Sequence, residues 1–127
     1  VSDYTTDGIR IRVTPRYHPE QSDPAARFWF FSYSVLVENV GDSPAQLVSR
    51  VWVITDATGQ QEHISGMGVV GQQPRLEPGD SFRYTSGCPL STSMGTMHGQ
   101  YEMVRDDGAR FSAEIAPFTL CDPLELN

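Results

Sequence analysis

Apolar and polar residues alternate with a period of two along most of this chain, and no segment keeps a helical period. Ile9, Ile11 and Val13 alternate with Arg10, Arg12 and Thr14. Residues 28–38 give the strongest strand signal. Trp29, Phe31, Tyr33, Val35 and Val37 share one face, and the other mixes Phe28 and Phe30 with Ser32 and Ser34. A strand this apolar on both faces belongs in the middle of a sheet or beside a covering loop. Residues 46–55 predict a further strand with Leu47, Val51 and Val53 on one face and Val48, Arg50, Trp52 and Ile54 on the other. A short strand then runs to about Ser65. Strands over Ser81–Ser86 and Gln100–Arg105 follow, and a return strand carries Phe111, Ala113 and Ile115.

Turn chemistry separates these runs. Asn39-Val40-Gly41-Asp42, Asp56-Ala57-Thr58-Gly59 and Asp107-Gly108 are turn sequences, and Pro78-Gly79 favours a type II turn. The polar stretch from Pro15 to Ala25 predicts a loop, and residues 87–98 predict irregular chain. Inward parity switches to Phe118 and Leu120 across Pro117, which predicts an edge or a bulge. About seven or eight short strands at regular spacing, with no helix to cover a sheet, predict an all-β fold. The expected form is an immunoglobulin or fibronectin type III-like β-sandwich of two antiparallel sheets. The 127 residues suit a single domain over 1–127.

Composition narrows the function more than the fold. A net charge of −7 repels phosphate backbones, so no general nucleic-acid binding is expected. All nine cationic side chains are Arg, which removes Schiff-base chemistry and the phosphate-loop lysine. No stretch approaches a membrane span. The polar opening Val1-Ser2-Asp3-Tyr4 lacks a signal-peptide pattern, so a cytoplasmic protein with Cys88 and Cys121 reduced is expected.

Gly66-Met67-Gly68-Val69-Val70-Gly71 spells the dinucleotide-binding glycine pattern. That pattern needs a helix after the third glycine, and Pro74 and Pro78 forbid one here. A weaker reading survives. Successive amides in a glycine loop can form an anion nest, so Gly66, Gly68 and Gly71 are candidate ligands for a nucleotide or pyrophosphate, with Arg75 as counter-charge. Residues 63–101 hold only Glu77 and Asp80 as acids, so a phosphate is not repelled there. The plainer reading is a long loop whose glycines take positive φ. Arg50 and Trp52 lie two apart on one strand, so a guanidinium stacked on the indole is a candidate recognition surface, with Pro74 and Met97 added from the adjoining loops; the plainer reading is a core Trp with its rim covered by Arg.

His63, Met67, Cys88, Met94, Met97 and His98 offer soft ligands, but no ligand spacing joins them, so neither metal nor cofactor is expected. Cys88 with His63 or His98 would be needed for nucleophilic catalysis, and a lone Cys between Gly87 and Pro89 reads better as packing. Glu38, Glu62 and Glu114 read as solvated strand positions. No enzyme chemistry is assembled from these parts.

With those residues in view, the chain resembles the ApaG family. The likeness runs through Gly66-x-Gly68-Val69-Val70-Gly71-x-Gln73-Pro74-x-Leu76-x-Pro78-Gly79, then Tyr84-Thr85-Ser86-Gly87, then Gly95-Thr96-Met97-x-Gly99-x-Tyr101-x-Met103. Upstream it takes in Asn39, Gly41, Pro44, Gln46-Leu47 and Arg50-x-Trp52-x-Ile54; Ser93 departs from it where relatives often carry Pro. The resemblance implies a fibronectin type III-like sandwich. It also implies an association with dinucleoside polyphosphate metabolism and with cobalt and magnesium tolerance, and no catalytic residues. Similar domains appended to F-box proteins and to a DNA polymerase delta-interacting protein imply a binding module. The expectation is a non-enzymatic domain acting by protein–protein contact. The surface expected for that contact is one loop end formed by Gly66–Pro78 together with Gly87–Gly99.

Overall fold

Nine strands form among residues 1–126, which the computed structural model describes. In chain order they are β1 (Ser2–Thr6), β2 (Ile9–Tyr17), β3 (Trp29–Asn39), β4 (Ala45–Asp56), β5 (Gln61–Met67), β6 (Arg75–Leu76), β7 (Ser81–Leu90), β8 (Met94–Val104) and β9 (Arg110–Cys121). They make two antiparallel sheets, ordered β1-β2-β3-β7 and β5-β4-β8-β9, with β6 pairing the start of β4. The all-β sandwich is therefore observed, with more strands than the periodicity predicts. No helix among the described residues is long and apolar enough to cross a membrane.

The core lies between the sheets. Phe31, Val35 and Val37 of β3 face Leu47, Trp52 and Tyr101 of the second sheet, all 2% exposed or less. Each such aliphatic side chain contributes ~1.5–3 kcal/mol on burial, which is what makes the period-two pattern decisive. On one flank β1 and β2 pack against β9. On the opposite flank the edge strands β5 and β7 face one another, and a groove opens between them.

Several elements differ from the sequence reading. β1 was not expected. It forms because Asp7 (φ 47) and Gly8 (φ 82) close a hairpin onto β2 with left-handed backbone at both central positions. β2 continues through Pro15 to Tyr17, paired with β3. The stretch expected to be irregular is mostly strand: β7 runs on to Leu90, only Ser91–Ser93 turn, and β8 begins at Met94. The parity switch near Pro117 is a bulge, where the β8–β9 register shifts between Met97 and Gly99. A second bulge, not foreseen, shifts the β4–β8 register between Leu47 and Ser49. It flips parity within β4, so Leu47 and Trp52 both face inward while Val51 faces outward, 36% exposed.

Candidate functional site

The bulge in β4 sets the orientation of Arg50, Trp52 and Ile54, which alternate along its inner face beyond the shift. Opposite them on β5 lie Gly66, Ile64 and Glu62, paired with Arg50, Trp52 and Ile54 respectively. β7 supplies Ser86, Gly87, Cys88 and Pro89, and these three strands with Tyr33 and Met97 enclose a recess of about 230 Å³. A second recess of about 260 Å³ shares Ile54, Glu62 and Pro89 and continues toward Asp56 and Gln60. Together they make one groove along the β5–β7 flank.

The groove floor is aromatic. The Trp52 ring meets Tyr101 and Phe118 edge-on at 6.4 and 6.0 Å, and Tyr33 lies at 5.1 Å. Beneath it the Tyr84 and Tyr101 hydroxyls hydrogen-bond to one another. Burial raises the pKa of Tyr33, Tyr84 and Tyr101 above the ordinary tyrosine value. Burial, aided by the negative charge of Glu62, pushes the Cys88 thiol up to about 11. At neutral pH these groups hold their protons, so Cys88 is a packed wall residue and not a poised thiolate.

Arg50 closes one end of the groove. Its Nη1 donates to the carbonyl oxygens of Met67 (3.1 Å) and Gly68 (2.7 Å). The guanidinium lies directly over Gly66, where a Cβ would stand 2.9 Å from Nη2. Trp52 is a core residue, as the plainer reading has it, and the Arg50 cation reaches past the indole to hold the glycine loop rather than forming the alternative stack. Among the described residues neither Arg50 nor Glu62 makes an ion pair.

The glycine loop has its own architecture. Val69 and Gln72 bond to each other through both amides, at 2.8 and 2.9 Å. Val70 (φ 43) and Gly71 (φ 78) form the tight turn between them. Gly68 takes φ 65, and a Cβ there would lie 2.4 Å from the Gln72 carbonyl oxygen. The Val48 carbonyl, freed at the β4 bulge, accepts from the Gly68 amide at 2.8 Å and from Gln73 Nε2 at 2.9 Å. The amides of Gly68, Val69 and Gln72 are therefore engaged by protein carbonyls, and Met67 and Gly68 turn their carbonyls toward a cation. Each feature accounts for a glycine without a ligand.

The other sequence candidates are dispersed. Arg75 sits on the exposed side of β6, bound to Asp106 (2.5 and 3.0 Å) and to Glu77 (2.6 Å). Pro74 serves the backbone, its carbonyl accepting from Leu47 at 2.9 Å. Trp52 and Met97, expected on a contact surface, are 2% and 1% exposed, because the β4 bulge turns Trp52 inward and Met97 holds an inward position of β8; they wall the recess instead. The proposed single loop end is also corrected. Gly66–Pro78 lies where β4 begins, and Ser91–Gly95 lies where β4 ends, beside Asp56. The two are joined only along the groove. His63 and His98 flank Val53 on the outer face, and no group of three or more His, Cys, Asp or Glu able to hold a metal occurs among the described residues. Sequence reasoning passed over Tyr33, Glu62, Ile64 and Ser86. The period-two spacing of Glu62, Ile64 and Gly66 was the available signal, but nothing local says that β5 faces β7.

Comparison with known proteins places this architecture. Residues 19–105 match the family described as ApaG domain. The chain is 56% identical to Protein ApaG of Anaeromyxobacter dehalogenans over all 127 residues, covering the whole of both chains. It is 50% identical to Protein ApaG of Bordetella pertussis over 119 residues, 94% of this chain and 91% of that protein. A crystal structure of an ApaA protein from Bordetella pertussis superposes with a TM-score of 0.89 at 50% identity, covering 91% of this chain and 94% of that one. An X-ray structure of a structural-genomics target superposes at 0.86 with 41% identity, covering 92% of this chain and 89% of that one.

Proposed function

We propose that this chain, which belongs to the ApaG family, is a non-enzymatic binding domain that takes a protein partner in the groove between β5 and β7. The carrying observation is the groove itself: an apolar floor at Trp52 and Met97, a cation at one end, and two edge strands as walls. Its β5 wall presents exposed apolar surface at Ile64, 39% exposed. Edge strands with free backbone groups accept an added strand from another chain, whose alternate side chains then enter the space between the sheets. The Cys88 thiol and the Tyr33 hydroxyl in the wall hold their protons at neutral pH, which suits recognition better than nucleophilic chemistry. Cys88 is a buried, reduced thiol, in keeping with a cytosolic setting.

The test is a photo-crosslinking side chain introduced at Ile64 in the groove and, separately, at Gln100 on the outer face of the second sheet. One discrete protein adduct from position 64 and none from position 100 supports the reading. No adduct from 64, or the same adducts from both positions, refutes it.

A further inference from the structure

Arg50 and Glu62 stand at opposite ends of the inner groove, and among the described residues neither is paired with a group of opposite charge. Arg50 lies opposite Gly66 and Glu62 lies opposite Ile54, so they are separated by four residues along the sheet. That is about 13 Å at ordinary strand rise, farther than the ~8 Å over which exposed charges act on one another in physiological salt. The two do not neutralise each other. Arg50 gives Nη1 to two neutral carbonyls, and its charge is left uncompensated beside a desolvated aromatic wall. A guanidinium has five N–H donors in a fixed fork, so the carbonyls use only part of its capacity. Glu62 faces Cys88 across the groove, close enough that its charge bears on the thiol. Between the two ends Trp52, Ile54, Ile64 and Met97 supply most of the lining and none carries a charge.

We infer that the groove selects an extended partner segment carrying an acidic residue, an apolar residue two positions on, and a basic residue two positions beyond that. In an extended strand those three side chains share one face with the spacing that separates Arg50 from Glu62. The acid meets the Arg50 fork, the apolar side chain enters the recess of about 230 Å³ over Trp52 and Met97, and the base meets Glu62. This rests on the binding-domain reading and gives it a partner chemistry. The pattern is read in either chain direction, since an added strand can run parallel or antiparallel.

The test uses the full chain and fluorescently labelled nine-residue peptides with glycine ends. Their centres are Glu-Thr-Leu-Thr-Arg, its reverse order, the neutral Gln-Thr-Leu-Thr-Gln and the doubly acidic Glu-Thr-Leu-Thr-Glu. One of the two mixed-charge orders is expected to bind at least about tenfold tighter than the neutral peptide. Amide shifts should map to β5 and β7. Glu62→Arg, a substitution at an exposed position, is expected to lose that preference and to gain the same factor for the doubly acidic peptide, with an unchanged melting temperature. Equal binding of neutral and charged peptides, indifferent to Glu62→Arg, overturns the charge pattern while leaving the groove as a binding site. No shift on β5 or β7 from any peptide at millimolar concentration overturns the inference, and the position-64 crosslink then decides the wider reading by itself.

Discussion

Replacing Gly66 by Ala puts a methyl group 2.9 Å from Nη2 and 3.1 Å from Cζ of Arg50. Gly66 does not have a left-handed backbone, so the change carries no backbone strain, and Gly→Ala by itself stabilises by about 0.5 kcal/mol through the unfolded chain. The obstacle is the end of a flexible side chain, which can move aside. Moving, however, takes Nη1 off the Met67 and Gly68 carbonyls. The Gly68 bond, at 2.7 Å and part-buried, is the stronger; the Met67 bond is exposed. Hydrogen bonds to a charged group contribute ~1.5–3 kcal/mol, and solvent access places this pair at the low end. Gly66→Ala should therefore cost about 1 kcal/mol net in the native background. In an Arg50→Met background the cation is already gone, and the same change should stabilise by about 0.5 kcal/mol. The coupling of about 1.5 kcal/mol is measurable by urea denaturation of the four proteins with unchanged m-values. Additivity within about 0.5 kcal/mol would refute the claim that the first glycine of the motif exists to seat Arg50.

Further predictions follow from the same geometry. Gly99→Ala would bring a Cβ to 2.0 Å from the Val51 carbonyl oxygen, a rigid strand neighbour, and should cost about 3 kcal/mol or more, or prevent folding, as read by thermal melting. Tyr84→Phe leaves the Tyr101 hydroxyl without its buried partner and should cost about 1–3 kcal/mol, while Tyr84→Phe with Tyr101→Phe should cost less than the sum of the single changes. The folded chain holds the Cys88 proton to about 11, whereas an unperturbed thiol loses it from 9.0. That contribution to stability is full below 9.0, declines as pH rises and is gone above about 11; the raised tyrosines add to the decline above 10.0. Urea midpoints across this range should fall, and Cys88→Ala should flatten the lower part of the fall. Titration with pyrophosphate or ATP should give no saturable amide shifts centred on Gly66–Gly71; such shifts would overturn the architectural account of the loop.

Much of this molecule was legible in the sequence because strand formation is a local affair. The alternation over residues 29–37 decided which side of β3 is buried, since a period of two admits only one inward set. Asp107-Gly108, Pro78-Gly79 and Asp56–Gly59 placed their turns because the left-handed backbone at Gly108, Gly79 and Gly59 is written in residue type. Asp7-Gly8 carried the same signal and was overlooked, which hid β1. The sequence also put Arg50 and Trp52 on one face, and the glycine spacing and aromatic pattern were enough to indicate the family.

Other features belong to the tertiary structure. A bulge inserts one residue into one strand of a pair, so the shift between Leu47 and Ser49 depends on β8 as much as on β4, and no window of β4 alone reveals it. The three motif glycines have three separate causes: Arg50 above Gly66, the Gln72 carbonyl against Gly68, and a positive φ at Gly71. Two of those partners are distant in the chain or are set by the turn. The groove is the clearest case. Glu62, Ile64, Ser86 and Cys88 become one surface only because the sheets close through β1, β2 and β9 on one flank and leave β5 facing β7 on the other. Local pattern decides which residues face inward; the packing of one sheet on the other decides what they meet there.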